Sequence, residues 1–253
     1  MLKLESVAKA FGGVVATDHV SLLFEPGSLS AIIGPNGAGK TTLFNLISGK
    51  LKPDSGRILF DGEDIAGLDE TEIVRRGIGR AFQVASIFPS LTVEESLMAA
   101  VLSHRRQTLR IAERFSHSDA RARAAEIIDM TGLGPVARSL SANLSHGDQK
   151  LLDIALALAL EPRLLLLDEP TAGMGPEERW QMIERVRALW QAEHMTLVFI
   201  EHDMDIVFEI AESIRVLCYG AVLAEGTAEQ IRANPEVIEA YLGVPVEEAE
   251  VLP

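Results

Sequence analysis

The stretch Gly34-Pro35-Asn36-Gly37-Ala38-Gly39-Lys40-Thr41 has the spacing G-x-x-x-x-G-K-[ST]. The apolar run Leu29 to Ile33 precedes it and reads as a strand. A helical pattern from Lys40 to Ser48 follows, with Gly49 placed to end it. Between a strand and a helix, glycines let backbone N–H groups turn inward around phosphate oxygens. The helix start adds the positive end of its dipole. In such a loop Lys40 reaches the β- and γ-phosphates, and the Thr41 hydroxyl holds Mg²⁺. A plain glycine-rich turn is the alternative, and only the rest of the chain separates the two.

Upstream, residues 2–8 and 20–24 read as strands. Downstream, Pro53-Asp54-Ser55-Gly56 is a turn, 57–60 a strand and Asp61-Gly62 another turn. From Val93 to Met130 the residues are mostly good helix formers, so 85–160 is expected to be a helical lobe inserted in an α/β core. Within it, Ser103 to Arg123 holds six Arg against one Glu and one Asp. That patch reads either as a solvated helical face or as a contact for anionic lipid or an acidic partner. After Asn143 strands and helices alternate: a helix at 148–160, a strand at 164–167, a helix at 176–192 and a strand at 196–200. Strands at 214–217 and 221–224 follow, and an acidic tail begins at Glu247. This rhythm predicts a mainly parallel sheet.

Three further groups sit next to these elements. Leu164 to Leu167 is an apolar run that ends in Asp168-Glu169. A buried strand there delivers Asp168 to a Mg²⁺ and leaves Glu169 to polarise an attacking water as general base. An Asp-Glu-Pro turn meeting solvent is the alternative. Glu201-His202-Asp203 follows the strand at 196–200, where an imidazole can hydrogen-bond a γ-phosphate or serve a structural purpose. Ser145, in Asn143-Leu144-Ser145-His146-Gly147-Asp148-Gln149, is a natural N-cap, and Gly147 allows close approach of a phosphate. All the strand-borne groups are expected along one carboxyl edge, where open α/β sheets bind ligands.

Composition narrows the classes. The 253 residues are 47% hydrophobic and 24% charged, which argues against disorder and disulfide scaffolds. The 23 basic and 37 acidic residues give a net charge of −14, which disfavours sequence-independent nucleic-acid binding. Cys218 is the single cysteine, so no intrachain disulfide forms and a reducing compartment fits. The start Met1-Leu2-Lys3-Leu4-Glu5 predicts no signal peptide. Leu151 to Leu160, interrupted by Asp153, is too short to span a membrane, so any membrane link is expected to run through a partner.

Taken together, the motifs resemble the ATP-binding subunit of ATP-binding-cassette (ABC) transporters over nearly the whole chain. Gly34 to Thr41 looks like that family's Walker A, Leu164 to Glu169 its Walker B, and Leu144 to Asp148 its signature. Gln83 stands at its Q-loop, His202 at its switch histidine and Phe11 at the aromatic that stacks on adenine. The resemblance implies a P-loop NTPase core with a mainly parallel sheet, an antiparallel β subdomain and an inserted helical subdomain. Residues 1–84 and 161–253 would form the core with its β subdomain, and 85–160 the helical subdomain. It implies ATP and Mg²⁺ as ligands. Gly34, Pro35, Asn36, Gly37, Ala38, Gly39, Lys40, Thr41 and Thr42 would hold ATP, and Thr41, Gln83 and Asp168 the metal. Glu169, His202 and Gln83 would be the catalytic set, while Ser145, His146, Gly147 and Asp148 would face the ATP of a partner cassette.

The same resemblance implies a head-to-tail dimer of like or unlike cassettes and two transmembrane permease subunits. It implies a peripheral location on the cytoplasmic face of the plasma membrane, and indirectly a solute-binding protein. Residues 83–97 would be the docking surface for the permease. Phe44-Asn45-Leu46-Ile47-Ser48-Gly49, Phe88 to Val93, Glu201 to Asp205 and Asn234 to Gly243 resemble the importers of branched-chain amino acids and related solutes. Importers of urea or amides and the ATPase of lipopolysaccharide export share most of these words. A soluble ABC ATPase of DNA repair or translation fits less well, because this chain has neither a coiled-coil insertion nor a second cassette. A nucleotide-gated binding module with little turnover is opposed by the intact Glu169. Three positions depart from the family: His146 where Gly or Tyr is usual, Asp148 where Gln is, and Gly175 where Asp is.

Overall fold

The computed structural model describes residues 1–81, 87–104 and 117–242. The chain begins with β1 (Leu2–Phe11), β2 (Val14–Phe24) and β3 (Leu29–Ile33), then α1 (Lys40–Ile47). β4 (Ser55–Phe60), β5 (Glu63–Asp64), α2 (Glu70–Arg75) and β6 (Ile78–Ala81) follow. Helices α3 (Val93–His104), α4 (His117–Thr131) and α5 (His146–Leu158) precede β7 (Leu164–Asp168), α6 (Pro176–Glu193) and β8 (Thr196–Ile200). The chain closes through α7 (Met204–Ile210), β9 (Ser213–Cys218), β10 (Ala221–Gly226), α8 (Ala228–Arg232) and α9 (Pro235–Leu242). Two compact units emerge, one of residues 1–73 with 196–253 and one of 74–195.

The first unit holds an antiparallel sheet in the order β2-β1-β4-β5. β1 and β2 form a hairpin closed by Gly12-Gly13, with Phe11 opposite Val14. Val20, Leu22 and Phe24 alternate inward along β2, which is why the sequence shows a strand at 20–24. The strand starts earlier, at Val14, because pairing with β1 continues past a break at His19. His19 has φ 48, and the register shifts there, so the alternation that marks a strand is lost. β3 pairs in parallel with both β8 and β9, and β10 returns antiparallel beside β9. Every residue of β3 and β8 is buried, as expected of parallel strands covered on both faces.

In the second unit β6 and β7 pair in parallel. The sequence does not announce β6: Ile78-Gly79-Arg80-Ala81 is short and carries a glycine and a charge. Its partner β7, all buried leucine before Asp168, supplies the ladder that makes it a strand. α3 is started by a capping box, in which Thr92 N–H donates to Glu95 Oε2 at 2.9 Å and Glu95 N–H to Thr92 Oγ1 at 3.2 Å. Val93, Leu97 and Val101 fall on one face of α3 and are buried, as are Ala120, Ala124 and Ile127 of α4. α5 starts at His146, two residues before the expected 148, because Ser145 is its N-cap. Among the described residues no helix is long and apolar enough to cross a membrane. Gln83, most of the arginine-rich stretch and the acidic tail lie outside the described residues.

Candidate active site

In the first unit, β3 delivers the chain into Gly34, and the loop that follows is shaped by its neighbours. A Cβ on Gly34 (φ 152) would lie 2.1 Å from the Leu217 carbonyl oxygen, and one on Gly39 (φ 98) 2.1 Å from that of Ala16. Both positions therefore require glycine. The Ala38 carbonyl accepts Gly220 N–H at 3.1 Å, tying the loop to the β9–β10 turn. Gly39 caps α1 without any side-chain bond to the first turn, so no capping side chain competes with an anion at this helix start. Lys40 is buried, and its Nζ donates to the carbonyls of Gly34 at 2.7 Å and Pro35 at 3.0 Å. The ammonium thus spans its own loop, while Asn36, Gly37 and Thr41 face solvent and Pro35 and Thr42 are half-buried.

Three more groups in this unit bear on the loop. β3 and β8 run parallel with Ile32 beside Ile200, so the loop at Gly34 and His202 leave from the same edge. His202 is exposed, and its backbone N–H donates to the buried Glu201 carboxylate at 3.1 Å. Phe11 ends β1 with 48% of its surface exposed, an aromatic face open to stacking. Asp54 steadies that end of β1: it accepts Lys9 Nζ at 2.6 Å and Ala10 N–H at 2.8 Å. The Lys9 bond, helped by the backbone bond, holds the Asp54 carboxyl below its ordinary range. Tyr241 on α9 is a group that sequence reasoning did not connect to the loop. Burial pushes its phenol up to about 12, against a hydrogen bond from the Gly34 backbone.

In the second unit, β7 carries Asp168 into a buried position at its carboxyl end. Arg80 Nη2 donates to Asp168 Oδ2 at 2.8 Å. Glu169 follows with φ 50, a conformation uncommon for a residue with a side chain, and its carbonyl accepts Lys150 Nζ at 3.3 Å. At the start of α5, Ser145 Oγ accepts Asp148 N–H at 3.1 Å and donates to Asp148 Oδ2 at 2.8 Å. His146 Nε2 lies 3.2 Å from the Ala172 carbonyl, which accepts when that nitrogen carries the hydrogen. Among the described residues Gly147 has nothing closer than 3.9 Å to the place a Cβ would occupy, so none of them requires glycine there. Gly175 is the N-cap of α6, and its N–H donates to Glu178 Oε2 at 3.2 Å. Having no side chain, it completes only half of a capping box.

A divalent cation fits what these residues present. Among the described residues no three His, Cys, Asp or Glu side chains gather as a metal cage. Mg²⁺ does not need one, because it is commonly held by one or two carboxylates, substrate phosphates and water. Asp168 Oδ1 is buried and has no hydrogen-bond partner among the described residues, an acceptor of the kind a cation takes. The contacts that Arg80, Asp54, Lys150 and Tyr241 make here escaped the sequence reading, since no local pattern marks a side chain whose partner is brought by strand pairing or a distant turn.

A phosphate loop between β3 and α1, an acidic end to β7 and a polar edge after β8 define a P-loop ATPase. Known proteins narrow the class. A family model described as ABC transporter matches residues 17–172. A second, described as branched-chain amino acid ATP-binding cassette transporter, matches residues 221–247. The chain is 39% identical over 249 residues to the high-affinity branched-chain amino acid transport ATP-binding protein LivG of Escherichia coli K12, covering 96% of this chain and 98% of that one. Its fold is similar to an ATP-binding cassette of an ABC transporter in its ADP conformation, with TM-score 0.84 and 31% identity over 96% of this chain and 99% of that chain. It is also similar to a dimeric bacterial ABC transporter cassette, with TM-score 0.77 and 29% identity over 90% and 99%. The chain belongs to the ABC transporter family and is an ATP-hydrolysing cassette of that family.

Proposed function

We propose that this cassette powers import of branched-chain or closely related amino acids. The observation that carries the solute class is the match of residues 221–247 to the branched-chain cassette family, because nothing in ATP chemistry asks for that segment. Similarity to LivG over nearly the full length of both chains supports the same reading.

In this reading Phe11 stacks on adenine, and residues 34–42 hold the phosphates. The backbone N–H groups and Lys40 neutralise the β- and γ-oxygens once Lys40 leaves its own carbonyls for the nucleotide. Glu169 accepts a proton from the attacking water, and His202 donates to the γ-phosphate and registers its loss. When Mg²⁺ is bound, the Thr41 hydroxyl, Asp168 and Gln83 would hold it, and it would supply charge neutralisation at the phosphates. Ser145, His146, Gly147 and Asp148 face the ATP of a second cassette, and ATP binding closes the pair. A cassette that is dimeric among the similar solved structures supports this pairing. Residues 85–160 form the helical subdomain, and 83–97 meet one of two permease subunits at the cytoplasmic face of the plasma membrane. A solute-binding protein delivers the amino acid from the other side.

The test is the Glu169→Gln variant. ATP affinity is expected to stay near wild type while turnover falls by about 10²–10⁴. A variant that hydrolyses ATP as fast as wild type removes Glu169 from the mechanism.

A further inference from the structure

Asp168 offers two carboxylate oxygens, and the fold treats them differently. β6 and β7 are parallel, with Arg80 beside Leu166. Side chains alternate along a strand, so Leu166 and Asp168 share a face, and Arg80 shares it with them. The guanidinium reaches diagonally along that face and donates to Oδ2 at 2.8 Å, with the side chains only 6% and 3% exposed. Oδ1 is buried and has no hydrogen-bond partner among the described residues. A buried acceptor left empty is costly, so its retention calls for a ligand.

We propose that Arg80 is a positioning residue for the divalent cation of ATP hydrolysis. By holding Oδ2 it fixes the rotation of the Asp168 carboxylate and leaves Oδ1 aimed as the metal ligand. The inference rests on Asp168 being a metal ligand, as in the reading above. Partners that orient a ligating carboxylate commonly change metal affinity by about 10–100-fold when removed. A different role predicts the opposite sign. If the guanidinium were a placeholder that the metal must displace, cutting it away would strengthen metal binding. The geometry points away from that, because Oδ1 has no partner among the described residues while Arg80 is in place.

The probe is Mn²⁺ with the non-hydrolysed ATP analogue AMP-PNP, titrated calorimetrically into the full chain with Mn²⁺ and again with EDTA. The ratio of the two affinities reports the hold of the protein on the metal. Arg80→Gln is expected to reduce that ratio by about tenfold or more while leaving the affinity in EDTA near wild type. A ratio that is unchanged or larger overturns the proposal. A purely structural ion pair would lower the melting temperature and leave the ratio alone, which also overturns it. Asp168→Asn separates the two layers of inference. If that variant keeps the wild-type ratio, the metal-ligand reading itself fails; if it alone loses the ratio, only Arg80 is wrongly assigned. Should Arg80→Gln not fold, Arg80→Lys is read in its place. It keeps the charge but not the planar fork. A loss of roughly threefold or more then supports positioning, and the wild-type ratio refutes it.

Discussion

The Ser145 hydroxyl has one hydrogen to donate, and it donates it to Asp148. Oγ lies 2.8 Å from Asp148 Oδ2 and accepts the Asp148 N–H in return. As a cap this is a closed local arrangement, and a carboxylate in the first turn also suits the helix dipole, worth about 0.3–1 kcal/mol. As part of a signature facing another cassette's ATP it is a competitor. In the pairing proposed above, the γ-phosphate would have to win the hydroxyl from Asp148, and two negative groups would be brought together. Asp148→Gln removes the charge. In the Glu169→Gln background, ATP-driven dimerisation followed by analytical ultracentrifugation should tighten by about three- to tenfold, at the scale of one exposed charge pair. The melting temperature should fall slightly, since the dipole contribution goes with the charge. A dimerisation constant that stays put or weakens refutes the competition.

At the scale of elements, the end of β1 that presents Phe11 is tied by the Asp54 carboxylate. Asp54 ties Lys9 and the Ala10 N–H, and the Lys9 bond is the larger cause of its lowered pKa. A carboxyl whose pKa is lower folded than unfolded contributes stability above its unfolded pKa, and that contribution is lost as pH falls through the folded value. Asp54→Asn should therefore melt below wild type at pH 7, and the difference should close as pH falls below about 4. Parallel melting curves at pH 7 and pH 3, with a constant gap, refute this. Phe11 is the residue that depends on the tether, so the same variant should weaken ATP binding more than it slows turnover at saturation.

Elements differ in how plainly the sequence declares them. β3, β7 and β8 are uniform apolar runs closed by turns, and they form where expected. α6 has Pro176 at its first position, and α9 begins at Pro235, so both starts are local signals. β6 has no such signal, and the first half of β2 hides behind the break at His19. α7 and α8 are short and capped by Asp203 and Thr227, signals that become visible only once the strands around them are placed.

For the whole molecule, the net charge of −14 disfavours sequence-independent attraction to nucleic-acid phosphates, and in the reading proposed above membrane attachment would run through the permease subunits. Affinity purification from detergent-solubilised native membranes, read by mass spectrometry, is expected to bring two different multi-span proteins and a second cassette. A pair of export-type membrane subunits with this cassette alone would point to lipopolysaccharide export. No membrane partner, from a preparation that still hydrolyses ATP, would refute the transporter assignment for the isolated complex.

The order of motifs, the phosphate loop, the acidic strand end and the capped α5 were legible because each rests on neighbours within a turn or a short run. Hydrophobic period, cap and glycine positions are local physics, and a sequence states them directly. What only the tertiary structure decided is which distant groups meet. Arg80 finds Asp168 across 88 positions through one parallel register. Gly34 and Gly39 must lack side chains because the carbonyls of Leu217 and Ala16 crowd them. Asp54 reaches Lys9, and Tyr241 reaches Gly34, through a turn and a terminal helix. A strand register moved by one residue would turn Arg80 to the opposite face. Such pairings depend on packing summed over the unit, and no window of sequence contains them.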